Sequence, residues 1–280
     1  MNSRSIDFLN CLLVVVAIVW VGTRLDAAAP ASKPASSPAT TQAVKLDPAI
    51  EKILDRLEQK KITDIETPIT YIKTKPLLAD KQTYEGILRF RMEEPNPRFL
   101  IRFDKFSQEG IVSRKKEWHA FDGQWYIEVR EKTEAIIKRQ VVRPGEKLDV
   151  FKLGQGPFPL PFGQKKKDII DNFSVKLVPP DPKKDPPGSD HLECTPLPGT
   201  KLADQFGTVH FYIHRKLDLP VCIRTVEKKE GIRVEASFSP DKMSINKGLS
   251  ASKLNHPQPR GYSISTELLN PPPKTKPENR

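Results

Sequence analysis

The sequence predicts a mainly β protein with few helices: a strongly curved, half-open antiparallel β-barrel of about ten or eleven strands, covered by helices. Three observations lead there. Apolar and polar residues alternate at period two through most of residues 67–246. Compact turn signals join the runs as hairpins, Glu93-Glu94-Pro95-Asn96-Pro97 and Asp122-Gly123 among them. A sheet of that many strands must curl or close, and one amphipathic helix and one apolar Pro/Phe segment stand ready to cover its hollow side.

Taken in order, the chain opens on an export signal over 1–29. Arg4 supplies the positive start, Phe8 to Val21 the apolar run, and Ala27-Ala28-Ala29 the small residues of a cleavage site. The run is about 14 residues, short of the roughly 20 that cross a bilayer. Export with cleavage near Ala29 places the mature protein in the periplasm. The alternative is an uncleaved signal that anchors it in the inner membrane. Residues 30–46 read as a flexible Pro/Ser/Ala/Thr linker. Asp47-Pro48 then reads as an N-cap with proline at the first helical position. Ile50, Ile53, Leu54 and Leu57 line one face of the helix, which should end near Lys60.

Strands are expected at 67–77, 84–92, 98–105, 117–121, 124–130 and 134–142. Leu88, Phe90 and Met92 share one parity, and so do Phe99, Ile101 and Phe103. In a hairpin with one buried face, these two sets point together, and Leu100 points away. Prolines alternate through Pro157-Phe158-Pro159-Leu160-Pro161-Phe162, so this apolar stretch is neither a regular helix nor a central strand. A short helix follows over 164–172, with Ile169, Ile170 and Phe173 as its buried side. After the Pro179–Ser189 loop come strands at 191–195, 208–214, 221–227 and 232–238, with a last short one at 242–246. The Pro-rich, charged composition of 249–280 predicts disorder.

Lys plus Arg is 46 against 35 Asp plus Glu, a formal net charge of +11. The positive charge is scattered, and an exported protein rarely meets nucleic acid, so no nucleic-acid partner is expected. Cys11 leaves with the signal. Cys194 and Cys222 fall on alternate strands of one meander, about 9.6 Å apart, which is too far for an undistorted bridge. His210 and His214, four apart on a strand, lie about 13 Å from each other and cannot share an ion. No catalytic residue, metal site or cofactor is assigned. G-x-S-x-G, H-E-x-x-H and phosphate-loop patterns do not occur.

The order of these pieces resembles the LolA/LolB-like family of periplasmic lipoprotein carriers. The resemblance rests on the amphipathic helix, Gly86-Ile87-Leu88-Arg89-Phe90, the turn with Pro95-Asn96, Arg98-Phe99-Leu100-Ile101 and Phe121-Asp122-Gly123-Gln124-Trp125-Tyr126. It continues in His191-Leu192-Glu193-Cys194-Thr195-Pro196, Val209-His210-Phe211-Tyr212-Ile213 and Leu219-Pro220-Val221-Cys222-Ile223. Carriers of this family have an arginine just before the proline of the strand turn, where Glu93 and Glu94 stand here. The resemblance implies a domain over 47–248 whose hollow shelters an acyl chain. Leu88, Phe90, Met92, Phe99, Ile101, Phe103 and Trp125 would then line the cavity. Ile50, Ile53, Leu54, Leu57, Phe158, Leu160 and Phe162 would form its lid. The implied partner is a lipid or a lipidated protein, met by a monomer that touches the membrane surface or an envelope protein transiently. A non-enzymatic envelope sensor or scaffold recognising lipoproteins is the alternative.

Overall fold

The computed structural model describes residues 46–114, 116–147, 162 and 164–269. Asp47 caps helix α1 (Pro48–Gln59): its carboxylate accepts from the Ala49 N–H, and Pro48 occupies the first turn. The chain then changes period. It runs through β1 (Asp64–Lys75), β2 (Asp80–Arg91), β3 (Arg98–Gln108), β4 (Ile111–Ser113), β5 (Glu117–Phe121), β6 (Trp125–Arg130) and β7 (Ala135–Gln140). Helix α2 (Lys166–Asn172) leads directly into β8 (Phe173–Val178). There follow β9 (Ser189–Pro196), the single-turn α3 (Lys201–Gln205), β10 (Phe206–His214), β11 (Leu219–Glu227), β12 (Arg233–Phe238), β13 (Ser244–Ile245) and β14 (Ser263–Glu267).

The fold is mainly β, and one open sheet contains all fourteen of these strands. Its order is β14-β7-β6-β5-β3-β2-β1-β12-β11-β10-β9-β8, with β4 paired to β3 and β13 to β1. Pairing is antiparallel except where β14 joins β7 in parallel. The N-terminal hairpins thus form one half and the later meander the other, joined at β1–β12 in the middle. The Asp122-Gly123 turn closes as its residues require. Asp122 Oδ1 accepts from the Gln124 and Trp125 N–H groups, and Gly123 takes φ 101°.

Both faces are covered, but by different parts of the chain. On the inner face two apolar clusters fill the hollow. On the outer face, Leu100, Ala120, Ile127, Val129 and Ile136 are buried beneath Leu249 and Leu254. Residues 249–269 are therefore part of the fold, not a disordered tail. Ala251–Leu254 makes a turn of 3-10 helix and Ser263–Glu267 adds an edge strand. The proline-rich composition conceals the three residues that do the covering, Leu249, Leu254 and Tyr262. Asp64 fixes the start of this segment, because its buried carboxylate accepts the N–H groups of Lys247 and Gly248 at 3.0 and 3.1 Å.

Candidate functional site on the inner face

The pairing register builds the inner face row by row. Phe90 stands opposite Phe99 and Phe99 opposite Phe121; Leu88 faces Ile101 and Ile101 faces His119; Phe103 faces Glu117. Ile65, Ile69 and Phe238 continue the apolar surface across β1 and β12. The aromatic rings meet at tilted geometries, with centroids 6.0 Å apart for Phe99–Phe121 and 5.4 Å for Tyr84–Phe103. Of the residues expected to line the cavity, Leu88, Phe90, Phe99, Ile101 and Phe103 come together here and are buried.

Two of the expected lining residues lie elsewhere. Met92 follows the end of β2, past the paired rows, and is 42 % exposed. Trp125 points to the outer face, beside Tyr262 and Ile127, because its neighbour Tyr126 takes the inward position opposite Phe121. Leu100 does point away from the inner face, yet it is buried on the outer one.

The lid divides as well. Ile50, Ile53, Leu54 and Leu57 are buried, but they cover the other half of the sheet. They pack with Ile169 and Phe173 over Leu192, Cys194, Val209, Phe211 and Ile213. Phe162 covers the first half, its ring 5.3 Å from Phe238. Phe158 and Leu160 lie outside the described residues. Ile170, expected on the buried side of α2, is exposed.

One end of the inner face is not apolar, and the sequence reading missed it. Where β5, β6 and β7 run side by side, Glu117, His119, Tyr126, Glu128, Arg130 and Arg139 share the inward parity. His119 Nδ1 lies 2.8 Å from the Tyr126 hydroxyl, and its Nε2 lies 3.2 Å from Glu117 Oε1. Arg130 Nε donates to Glu128 Oε1, and Arg139 Nη1 stands 3.7 Å from Glu128 Oε2. Burial alone would raise the Glu117 carboxyl, but His119 and Arg130 outweigh it and hold it below the ordinary value. Burial, reinforced by Glu128 and Glu117, pushes the Tyr126 hydroxyl well above its ordinary value and keeps it protonated. Donor atoms of Glu117, His119 and Glu128 lie within 4.8 Å of one another, a set of metal-ligand type. Arg130 and Arg139 already pair with Glu117, Glu128 and Glu267, so a divalent ion here would have to displace these ion pairs at a buried place. The signal is present in the alternation of Glu117-Trp118-His119 against Glu128-Val129-Arg130. It becomes readable only once the hairpin register sets His119 opposite Glu128.

Four exposed aliphatic side chains crown the neighbouring rim. Leu77 and Leu78 form the β1–β2 connection, and Ile111 and Val112 lie in β4. Gln108 Nε2 donates to Asp80 Oδ1 at 2.8 Å, so the two tips hold one end of the sheet together. The outer face carries a separate open depression of about 410 Å³, lined by Ile72, Tyr212, Arg224 and Glu235 among others.

The class defined by this geometry is a single open sheet whose inner face is closed by connecting segments. No protein-family profile matches the chain, and no curated protein matches it. Among solved structures it is similar to an uncharacterized conserved protein from Thermus thermophilus, at 12 % identity and a TM-score of 0.44, over 78 % of this chain and 99 % of that one. It is also similar to a putative outer membrane lipoprotein-sorting protein domain from Vibrio parahaemolyticus, at 11 % identity and 0.35, over 74 % and 94 %. A LolA superfamily protein from Nitrosomonas europaea matches at 9 % identity and 0.33, over 74 % and 97 %. At these identities no residue-level correspondence carries over, and function has to follow from the chain's own side chains.

Proposed function

We propose that this chain is an exported, non-catalytic binding protein that shelters a lipid or lipoprotein acyl chain against the inner face of its sheet. One observation supports the reading above the others. The apolar face of Phe90, Phe99, Ile101, Phe121 and Phe238 is closed by connecting segments, Phe162 among them, and not by a second sheet. Such a cover can move aside without breaking a strand ladder. An acyl chain taking its place gains about 0.8 kcal/mol per CH₂ withdrawn from water, so no catalytic group is needed. The periplasm is the compartment this reading requires, and N-terminal sequencing of the exported protein should find a start near Pro30.

The test is displacement of a fluorescent fatty acid from delipidated protein. Phe90→Glu places a charge in the apolar face and abolishes binding. Ile87→Glu, on the half-exposed outer parity of the same strand, leaves it within about twofold. Circular dichroism checks that both variants fold. Equal loss in both folded variants would reject the assignment of the faces.

The exposed tips favour a second reading, in which the filled sheet is a sensor or scaffold that docks by Leu77, Leu78, Ile111 and Val112. The two readings separate on one measurement. A carrier binds the fatty acid and loses little when all four residues become serine, whereas a scaffold binds no fatty acid at all.

A further inference from the structure

The ion network at the end of the apolar face is costly to bury and takes no part in the shelter described above. Glu128 is fully buried and His119 nearly so. Each buried charge carries a desolvation penalty that its partners must offset. The offset here is incomplete: Glu128 Oε2 and Arg139 Nη1 are both buried, and neither makes a hydrogen bond. The two atoms face each other as a long ion pair, 3.7 Å apart, in which neither atom has a hydrogen-bond partner. Glu117, Glu128, Arg130 and Arg139 place carboxylates and guanidinium groups side by side, and Glu267 adds a third, more exposed carboxylate to Arg139, so the network is strongly dipolar.

Its position matters as much as its charge. Along β5, Glu117 stands four residues from Phe121, about 13 Å along the strand. Exposure rises toward that end: the Glu128 side chain is wholly buried, whereas Glu117 and Arg130 are partly open beside the rim. An amphiphile lying along this face would therefore have its chain against Phe90, Phe99 and Phe121 and its polar end among Glu117, Glu128, Arg130 and Arg139.

We propose that this network is the headgroup subsite of the same inner face, engaged when its cover moves aside, and that it selects a zwitterionic headgroup carrying both a phosphate and an ammonium group. The proposal rests on the acyl-binding reading above. Arg139 and Arg130 offer donors to a phosphate, and Glu128 and Glu117 offer acceptors to an ammonium. A headgroup with a phosphate alone satisfies the arginines but leaves Glu128 facing a like charge. A plain carboxylate does the same.

The test compares three probes with the same chain length on delipidated full-length protein: palmitoyl lysophosphatidylethanolamine, palmitoyl lysophosphatidylglycerol and palmitate. Each competes against a bound fluorescent fatty acid. The unmutated protein should prefer the ethanolamine lipid over the glycerol lipid by about tenfold, the worth of one charge-assisted hydrogen bond. Glu128→Gln should cut that preference to within about twofold while palmitate binding holds or improves. The comparison on unmutated protein stands even where Glu128→Gln fails to fold. Equal affinity for the two lysolipids, or a preference that survives in folded Glu128→Gln, overturns the headgroup assignment while acyl binding stands. Failure of the fluorescent fatty acid to bind at all overturns the acyl-binding reading and this proposal with it.

Discussion

A missing side chain lets the β2–β3 hairpin pair. Opposite Gly86 the register slips: Glu85 faces Lys105, while Gly86 faces Phe103, so Asp104 is bulged out of the ladder. A Cβ on Gly86 would overlap the Arg102 carbonyl oxygen and lie 2.8 Å from the Phe103 Cα, and backbone cannot yield as a flexible side chain does. Gly86→Ala should cost about 3 kcal/mol or more, read as a lowered urea midpoint. A midpoint within experimental error of the parent would mean that the bulge is not as described. The cysteines give a second residue-scale expectation. Cys194 on β9 and Cys222 on β11 are both free, with β10 between them as the meander requires. Burial pushes each thiol up from 9.0 to about 12. The unfolded thiols ionise first, so this contribution to stability is complete below pH about 9 and is lost as the pH rises toward about 12. Native protein at pH 8 should resist iodoacetamide, and denatured, unreduced protein should titrate two thiols. Rapid alkylation of the native form would contradict the burial.

At the scale of elements, period and turn chemistry locate most strands to within a few residues, because alternation and Asp-Gly turns are local signals. The β5–β6 hairpin shows this best: the strand expected at 117–121 has those bounds in the structure. Alternation also separates the two faces of β2 and β3, but it cannot say what lies over each face. The burial of Leu100 and the outward turn of Trp125 escape it for that reason, since their cover comes from 249–262, more than 120 residues later. The apolar stripe of α1 is legible for the same local reason, and its docking place over β8–β10 is not. Leu254 now carries a clear expectation. It is buried against the outer sheet, so Leu254→Ala should destabilise the protein by about 2–4 kcal/mol. Ending the chain at residue 248 should expose Leu100, Ala120, Ile127 and Val129 together and promote aggregation. A truncated chain that melts like the parent, measured by calorimetry, would contradict the role given to this segment.

At the scale of the whole molecule, one sheet carries a covered apolar inner face, a dipolar network at its end and exposed aliphatic tips on the nearby rim. In the function proposed here, the first would shelter an acyl chain and the second would hold its headgroup, while the third is the contact surface of the alternative scaffold reading. They are carried by neighbouring strands of one half of the sheet, and sequence reasoning reaches the apolar part alone. The central claim is that the inner face takes up a lipid chain. Native mass spectrometry of protein purified from an envelope fraction tests it most directly. A lipid-sized mass adduct should accompany the unmutated protein and Ile87→Glu, and should be absent from Phe90→Glu. Bare protein mass in all three, from preparations in which a known lipid carrier retains its ligand, would contradict the account.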